Sequence, residues 1–483
     1  MKILLVLSPT PLNIKNYSSS KDTEFPMGLC YLAAVLEKAG FSPEIFDFQL
    51  ANNPIEAFAD KLKENKYDVI GFSVVTPSFG ATNRMAAIVK EVSPKTKVII
   101  GGAHPSILGP NVLQEMPNVD IAALREGEAT IVELIQFLEK GKPLDQVKGI
   151  AFRNDDKIIS NGHRELIKNL DDIPFPARHL VNMKKYVPTP GQFFKLPILS
   201  MVASRGCAFR CAYCVDNLVW PKYRVRSAKN VVDEMEFLKN TYEAKEIKFL
   251  DGAFSTNRQR TIEICNEILK RNLGLIWRCE TRVDLIDPEL LTLMWRSGCL
   301  SISFGFESGD DEILKKMNKR TTTEQARKAV AWCKAVGIQA KGFFMLNYPG
   351  DTIETTERTI RFSRELDLDF VGFNMTTPYP GTKFYNEVEK NYKINEKCWG
   401  RTDIPVGNRI YFFQNGLSEN YLKKAYRRAV LGFFLRPKTL LKILIRSFLF
   451  QIKNPRALQR SFSGLVRILQ IKIQEDEKDK GLI

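Results

Sequence analysis

Three cysteines in one short run carry the most chemistry: Ser204-Arg205-Gly206-Cys207-Ala208-Phe209-Arg210-Cys211-Ala212-Tyr213-Cys214. Thiolates at Cys207, Cys211 and Cys214, spaced C-x3-C-x2-C on a loop, can hold three irons of a [4Fe–4S] cluster and leave the fourth iron without a protein ligand. An iron left open in this way can chelate a substrate or cofactor. The competing readings are a three-cysteine zinc site and three incidentally buried cysteines. Zinc lacks an obvious fourth ligand, because the chain has only three histidines and His179 is the nearest. The loop position after a strand, and aromatic Tyr213 before the last cysteine, favour the cluster.

The elements that must position this loop form a βα series starting at Leu196. Strand candidates are Ile198 to Ala203, Ile247 to Leu250, Ile276 to Cys279, Ser301 to Phe306, Ala340 to Leu346 and Phe370 to Asn374, each followed by a helical or long polar stretch. Six such units predict a partial TIM-like (β/α)6 barrel with its chemistry at the strand C-terminal ends. Ahead of it, Ile3 to Leu7, Glu44 to Phe48, Val69 to Val75, Val98 to Gly102 and Ile121 to Leu124 alternate with helical patterns such as Gly28 to Gly40. That alternation predicts an α/β doubly wound, Rossmann-like parallel sheet with ligands beyond the carboxyl ends of its strands. A hairpin-like piece, Gly149 to Ile159, leads into a Pro-rich connector from Ile173. The expected domains are 1–145, a connector 146–190, a barrel domain 191–395 and a basic helical region 396–483.

Composition bounds the class. The chain has 483 residues, 44% hydrophobic and 26% charged, which is globular and allows about two to four domains. The opening apolar run is too short for a signal peptide, and no run of about 18 uncharged apolar residues could span a membrane. Nine cysteines, scattered apart from the one group, do not make a disulfide framework and predict a reducing, cytoplasmic setting. Cys30, Cys265, Cys299 and Cys333 read as small buried hydrophobes. Cys279, at the barrel mouth, and Cys398, on a loop, are candidates to face a substrate. The net charge of +16 is concentrated late: between Tyr421 and Gln474 there are 13 Lys and Arg and no Asp or Glu. Within it, Arg436 to Phe450 mixes apolar residues with periodic cations, as a basic interfacial helix does, and anionic lipid headgroups would attract it. A helix packed on the barrel with a solvated basic face explains the pattern nearly as well. Nucleic acid is disfavoured, since aromatic-rich RNA-binding signatures are not evident.

The cysteine loop resembles the signature of the radical S-adenosylmethionine (SAM) superfamily, over about Leu196 to Glu389. The resemblance implies that SAM chelates the open iron through its amino and carboxylate groups, and that the reduced cluster cleaves it to a 5′-deoxyadenosyl radical. It implies SAM-holding roles at successive strand ends: Asp251 in Phe249-Leu250-Asp251-Gly252, Arg282 paired with the methionine carboxylate, and Glu307 and Ser308 in Gly305-Phe306-Glu307-Ser308-Gly309, with Tyr213 beside them. Asn347 to Thr352 and Thr377 to Thr382 look like pocket-shaping loops of the same family.

The first 140 residues resemble the cobalamin-binding domain of one large radical SAM class. The resemblance rests on Phe25 to Leu36, Gly71 to Thr76, Gly101-Gly102-Ala103-His104-Pro105 and Arg125-Glu126-Gly127-Glu128. It implies Thr76, Gly101, Gly102, His104 and Glu126 near the cofactor. The Asp-x-His-x-x-Gly pattern of histidine-ligated cobalamin is absent, which implies cobalamin bound without a histidine ligand.

The expected function is therefore a cobalamin-dependent radical SAM methyltransferase. It would act on an unactivated carbon of a hydrophobic small molecule or lipid through methylcobalamin and the 5′-deoxyadenosyl radical. The alternatives are a radical SAM oxidative cyclase or ring-rearranging enzyme, similar to the anaerobic magnesium-protoporphyrin ester cyclase, and an RNA-modifying radical SAM enzyme. The implied partners are an electron donor such as flavodoxin or ferredoxin and, through the tail, the inner face of an anionic membrane.

Overall fold

The computed structural model describes residues 1–8, 24–51, 53–188, 193–394, 409–437 and 439–441. Cys398, Lys438 and the basic tail from Lys442 onward lie outside the described residues.

The N-terminal sheet contains β1 (Ile3–Leu7), β2 (Glu44–Asp47), β3 (Val69–Ser73), β4 (Lys97–Gly101), β5 (Ile121–Ala123), β6 (Ile150–Asn154) and β7 (Lys157–Ser160), in the order β2-β1-β3-β4-β5-β6-β7. The first five run parallel. Their near-continuous apolar sequences reflect burial on both faces. In β1, Leu4 and Val6 enter one apolar cluster while Ile3 and Leu5 enter another, so alternate residues serve the two helical layers. The hairpin β6–β7 differs from its expected place in the connector. It adds antiparallel to β5, with Ile121 opposite Phe152, and extends this first domain past residue 145. The reason is burial: Ile150, Ala151 and Phe152 cover what would otherwise be an open apolar edge.

The second sheet is parallel throughout: β8 (Ile198–Met201), β11 (Glu246–Phe249), β12 (Ile276–Thr281), β13 (Cys299–Glu307), β14 (Gln339–Leu346) and β15 (Phe370–Met375), in the order β15-β14-β13-β12-β11-β8. Between β8 and β11 a small antiparallel pair forms from β9 (Ser204–Arg205) and β10 (Arg224–Val225). All six expected barrel strands are present within one or two residues of their predicted ends. Along β12, Trp277 and Cys279 pack into the core under the helices, so the intervening Arg278 points to the opposite, luminal face. Cys279 is 2% exposed and belongs to that core, as do Cys265, Cys299 and Cys333. None of these four therefore faces a substrate.

The helix Glu419–Phe434 closes the barrel beside β15, burying Leu422, Ala425, Ala429 and Phe433 while Lys424 and Arg427 stay exposed. Over this stretch the basic region is a packed helix with a solvated cationic face. No helix among the described residues is long and apolar enough to cross a membrane.

Candidate active site between two domains

The cysteine loop leaves the carboxyl end of the first barrel strand through β9. Gly206 has φ +76°, and a Cβ there would lie 2.7 Å from the Lys222 carbonyl and 3.0 Å from that of Trp220, so only glycine fits. Cys207, Cys211 and Cys214 follow as half-buried free thiols. Burial raises the Cys207 thiol and pushes Cys214 up to about 12, and the nearby Asp216 and Cys211 raise both further. Thiolates here therefore call for a compensating positive group, which iron provides. Among the described residues no three His, Cys, Asp or Glu side chains converge as the ligands of one ion would. A cubane instead takes each thiolate on a different iron. Three unpaired thiols around one loop fit that cluster.

Around the loop lie the residues expected to hold SAM, and the structure turns several of them inward. Asp251 is buried and accepts hydrogen bonds from the Ala203 amide (3.0 Å) and from the Ser204 hydroxyl. It fixes the start of the loop. Arg282 donates to Asp284 (2.9 Å) and to the Lys319 carbonyl (2.7 Å), stacks on Phe209 at 3.8 Å, and places Nη1 3.9 Å from Cys211 Sγ. It braces the cysteine loop. Ser308 faces Thr359 at 3.1 Å and accepts from the Asp310 amide, a turn-capping role. Glu307 remains within the site. It accepts from Tyr213 Oη and Lys319 Nζ, both at 2.9 Å, and adopts φ +65°, a costly backbone conformation for a glutamate. Lys319 carries no motif signal and was missed. Its place in the site comes from chain reversal after the helix Asp311–Lys316.

The carboxyl edge of the first sheet faces the barrel across a cavity of about 600 Å³. Leu7, Ser73 and Val75 line it from the sheet, and Ser200, Lys248 and Arg278 from the barrel. Val75 is 41% exposed and Leu250 39%, apolar surface that a ligand would cover. Gly102 is exposed at the end of β4, with φ +103°, and a Cβ there would lie 2.8 Å from the Val74 carbonyl, which excludes other residues. An open, apolar strand edge with side-chain-free backbone suits a broad flat cofactor such as cobalamin. Gly101 and Thr76 are half-buried beside it.

His104 and Glu126 are both buried. His104 is buried against Phe79 with its Nδ1 3.2 Å from Thr76 Oγ1, its Nε2 is buried with no partner among the described residues, and burial pushes its pKa down to about 4. It packs as a neutral ring and does not line the cavity. Glu126 accepts from Arg205 and Arg224 at 2.8 to 2.9 Å and from the Ile167 amide at 2.9 Å, so it ties the domains together.

A parallel sheet with a glycine-edged crevice, followed by a barrel with a three-thiol loop, defines an enzyme with a cofactor site on each of two domains. Residues 201–363 match the radical SAM superfamily and residues 17–135 the B12 binding domain. The chain is 32% identical over 471 residues to the uncharacterized methyltransferase PH0819 of Pyrococcus horikoshii, covering 97% of this chain and 98% of that protein. It is 31% identical to the anaerobic magnesium-protoporphyrin IX monomethyl ester cyclase of Rubrivivax gelatinosus over 76% of this chain and 67% of that one. The fold matches the cobalamin-dependent SAM radical enzyme OxsB, solved with aqua-cobalamin and SAM, with a TM-score of 0.70, 18% identity, and coverage of 96% of this chain and 70% of that one. The chain belongs to the cobalamin-binding radical SAM family, and its cofactors are a [4Fe–4S] cluster, SAM and cobalamin.

Replacing Cys207, Cys211 and Cys214 together by Ala is expected to abolish iron–sulfur absorbance after anaerobic reconstitution; full absorbance in the triple variant would refute the ligand assignment. His104 yields a pH prediction. Its folded pKa lies below the ordinary value of about 6.5, so the unfolded chain binds more protons between pH 6.5 and 4, and stability falls as pH drops through that window, by up to about 3 kcal/mol. The melting temperature of His104→Gln should therefore lose less than that of the wild type between pH 7 and pH 5.

Proposed function

We propose that the protein is a C-methyltransferase acting on an unactivated carbon of a hydrophobic small molecule or lipid. The observation that carries this reading is the single cavity of about 600 Å³ shared by the cobalamin-binding sheet and the barrel, with apolar Leu7, Val75 and Leu250 on its walls. When bound, the cluster with SAM supplies a carbon-centred radical and cobalamin supplies a methyl group. Cys207, Cys211 and Cys214 hold the cluster, while Asp251 and Arg282 fix the loop that carries them. Glu307, with Tyr213 and Lys319, presents a hydrogen-bonding group next to the last cysteine for the amino-acid part of SAM. The apolar walls exclude water from a reactive species. A small reducing protein such as flavodoxin or ferredoxin delivers the electron. The name of PH0819 supports methyl transfer; the cyclase relative supports the alternative of oxidative ring closure.

Anaerobic enzyme loaded with iron and cobalamin, given a cell lipid extract and SAM deuterated in its methyl group, is expected to yield a product heavier by one trideuteromethyl group. A product changed by oxygen or by loss of hydrogen, with no deuterium, would assign the cyclase chemistry instead.

The substrate class also suggests a peripheral position at an anionic membrane. Each cation near such a surface contributes about 1 kcal/mol, and the segment beyond Leu441 carries most of the late cations. Flotation with anionic liposomes should be strong at low salt, weak at high salt, and lost on truncation after Leu441. The cut must fall there because the helix Glu419–Phe434 is part of the barrel core. Equal flotation with neutral vesicles counts against the electrostatic attachment.

A further inference from the structure

Arg178, Arg226, Arg260, Arg278 and Arg282 are the buried arginines among the described residues. Four of them donate hydrogen bonds. Arg178 donates to the Ser200 carbonyl and Glu234, Arg226 to the Val202 carbonyl and Glu234, Arg260 to the carbonyls of Ala203 and Arg226, and Arg282 to Asp284 and the Lys319 carbonyl. Arg278 donates none to the described residues. It is 8% exposed, its Nε is buried without a partner, and the nearest carboxylate oxygen, Glu246 Oε1, is 3.5 Å from that nitrogen, too long for a hydrogen bond. Glu246 is held elsewhere, its Oε2 accepting from the amides of Phe194 (2.6 Å) and Lys195 (2.9 Å).

A guanidinium nitrogen withdrawn from water with only a long ion-pair contact to Glu246 is costly, and this side chain lines the cavity. Lys248, the register partner of Arg278 on the neighbouring strand, also lines it; its closest carboxylate is that of Glu24, 3.8 Å away and 84% exposed. Glu280 lies within electrostatic range of Lys248, Arg278, Lys341 and Glu24, and Glu246 within range of Arg278 and Lys341, so Arg278 and Lys248 stand among charges of both signs. The opposite wall carries apolar Phe25, Met27, Leu29 and Val75 beside Ser8, Gln49 and Ser73.

We propose that Arg278, assisted by Lys248, is the headgroup subsite of the substrate chamber, and that the substrate is an amphiphile bearing a carboxylate or phosphoryl group. The planar fork of arginine matches either oxyanion in two parallel hydrogen bonds, and the apolar wall takes the hydrocarbon part. Arg278 is the third residue of β12, below the carboxyl end of the barrel, where Arg282 follows β12 and the cysteine loop follows β8 and β9. The anion is thus held deep in the lumen, and the hydrocarbon part is left toward the sheet edge. The inference rests on reading this cavity as the substrate chamber.

The test is calorimetric binding to the full chain loaded with cluster and cobalamin, using dodecanoate, dodecyl phosphate and dodecanol as probes. At least one anionic probe should bind ten-fold or more tighter than dodecanol, the better of the two naming the headgroup. Arg278→Met should erase that preference while cluster and cobalamin absorbance stay unchanged. Lys248→Met, at a more exposed position, should reduce the preference in the same direction and carries the test if the arginine variant does not load its cofactors. Equal binding of dodecanol and both anions, or an unchanged preference in the variants, overturns the proposal. So does parallel loss of cobalamin or SAM binding in a folded Arg278→Met protein, which would make the arginine a cofactor contact. No step of this test involves methyl transfer. Retained anion preference without a deuterated product counts against the reaction, and a deuterated product without anion preference counts against the subsite.

Discussion

The geometry of the site depends on one buried ionic network between the two domains. Glu126 and Glu128, at the carboxyl edge of the first sheet, meet Arg205, which lies two residues before Cys207, and Glu126 also meets Arg224 on the paired strand. All four side chains are at most 12% exposed. Two guanidiniums against two carboxylates leave no net charge, and Glu126 gains a third donor in the Ile167 amide of the connector. A buried network of this kind contributes little net stability compared with well-packed apolar residues, whereas removal of one member strands its partner at a cost of about 3 to 5 kcal/mol. Its value lies in geometry. Two cofactors bound on separate domains can act on one carbon only if the separation of those domains is fixed, and directional hydrogen bonds fix it where apolar contact would allow sliding.

The same logic continues into the cysteine loop, which is held by backbone hydrogen bonds to distant segments. The Ala212 amide donates to the Met317 carbonyl at 2.8 Å, the Phe384 amide to the Ala212 carbonyl at 3.1 Å, and the Asn318 side chain to the Arg210 carbonyl at 2.6 Å. With Asp251 at its entrance and Arg282 along its side, the loop is anchored by four separate segments. Loop sequences of this length ordinarily sample many conformations. Here three thiols must hold fixed positions, and the hydrogen bonds oppose the entropy of the chain.

The strands and the thiol loop were readable because their signals are local: apolar runs of strand length, and a cysteine spacing on one turn. The roles of Asp251, Arg282 and Ser308 were not. Motif position places a residue at a strand end, but one rotamer or register step decides whether it points at a ligand or back into the loop, and here it points back. Glu126 was drawn toward the cofactor by its neighbours, yet its partners Arg205 and Arg224 lie about 80 and 100 residues away, beyond any local pattern. Arg278 and Lys248 did leave a trace. In Ile276-Trp277-Arg278-Cys279-Glu280 and Glu246-Ile247-Lys248-Phe249, charged residues alternate with core residues, the period-2 sign of a polar lumen. Reading those strands for their apolar content alone discarded the half of the pattern that faces the cavity. The hairpin β6–β7 was seen as a hairpin, but its docking onto β5 is a long-range pairing that turn residues do not encode.

A polar lumen beneath a radical site calls for its own physical account, because a chamber that must be dry is poorly served by loose charge. The arrangement separates the two demands in space. At the strand ends, Glu307, Tyr213 and Lys319 satisfy one another, and Asp251 and Arg282 are fully engaged by the loop, so little free polarity borders the thiols. The unmatched donor, Arg278, sits lower in the barrel, and the apolar residues Val75 and Leu250 stand at the opening between sheet and barrel. An occupant with one charged end can lie in this chamber in one direction only, since reversal would bring its charge against Val75 and its hydrocarbon against a guanidinium. Electrostatics at the floor thus determine which end of the molecule reaches the cofactors, and the rigid domain junction determines how far it reaches.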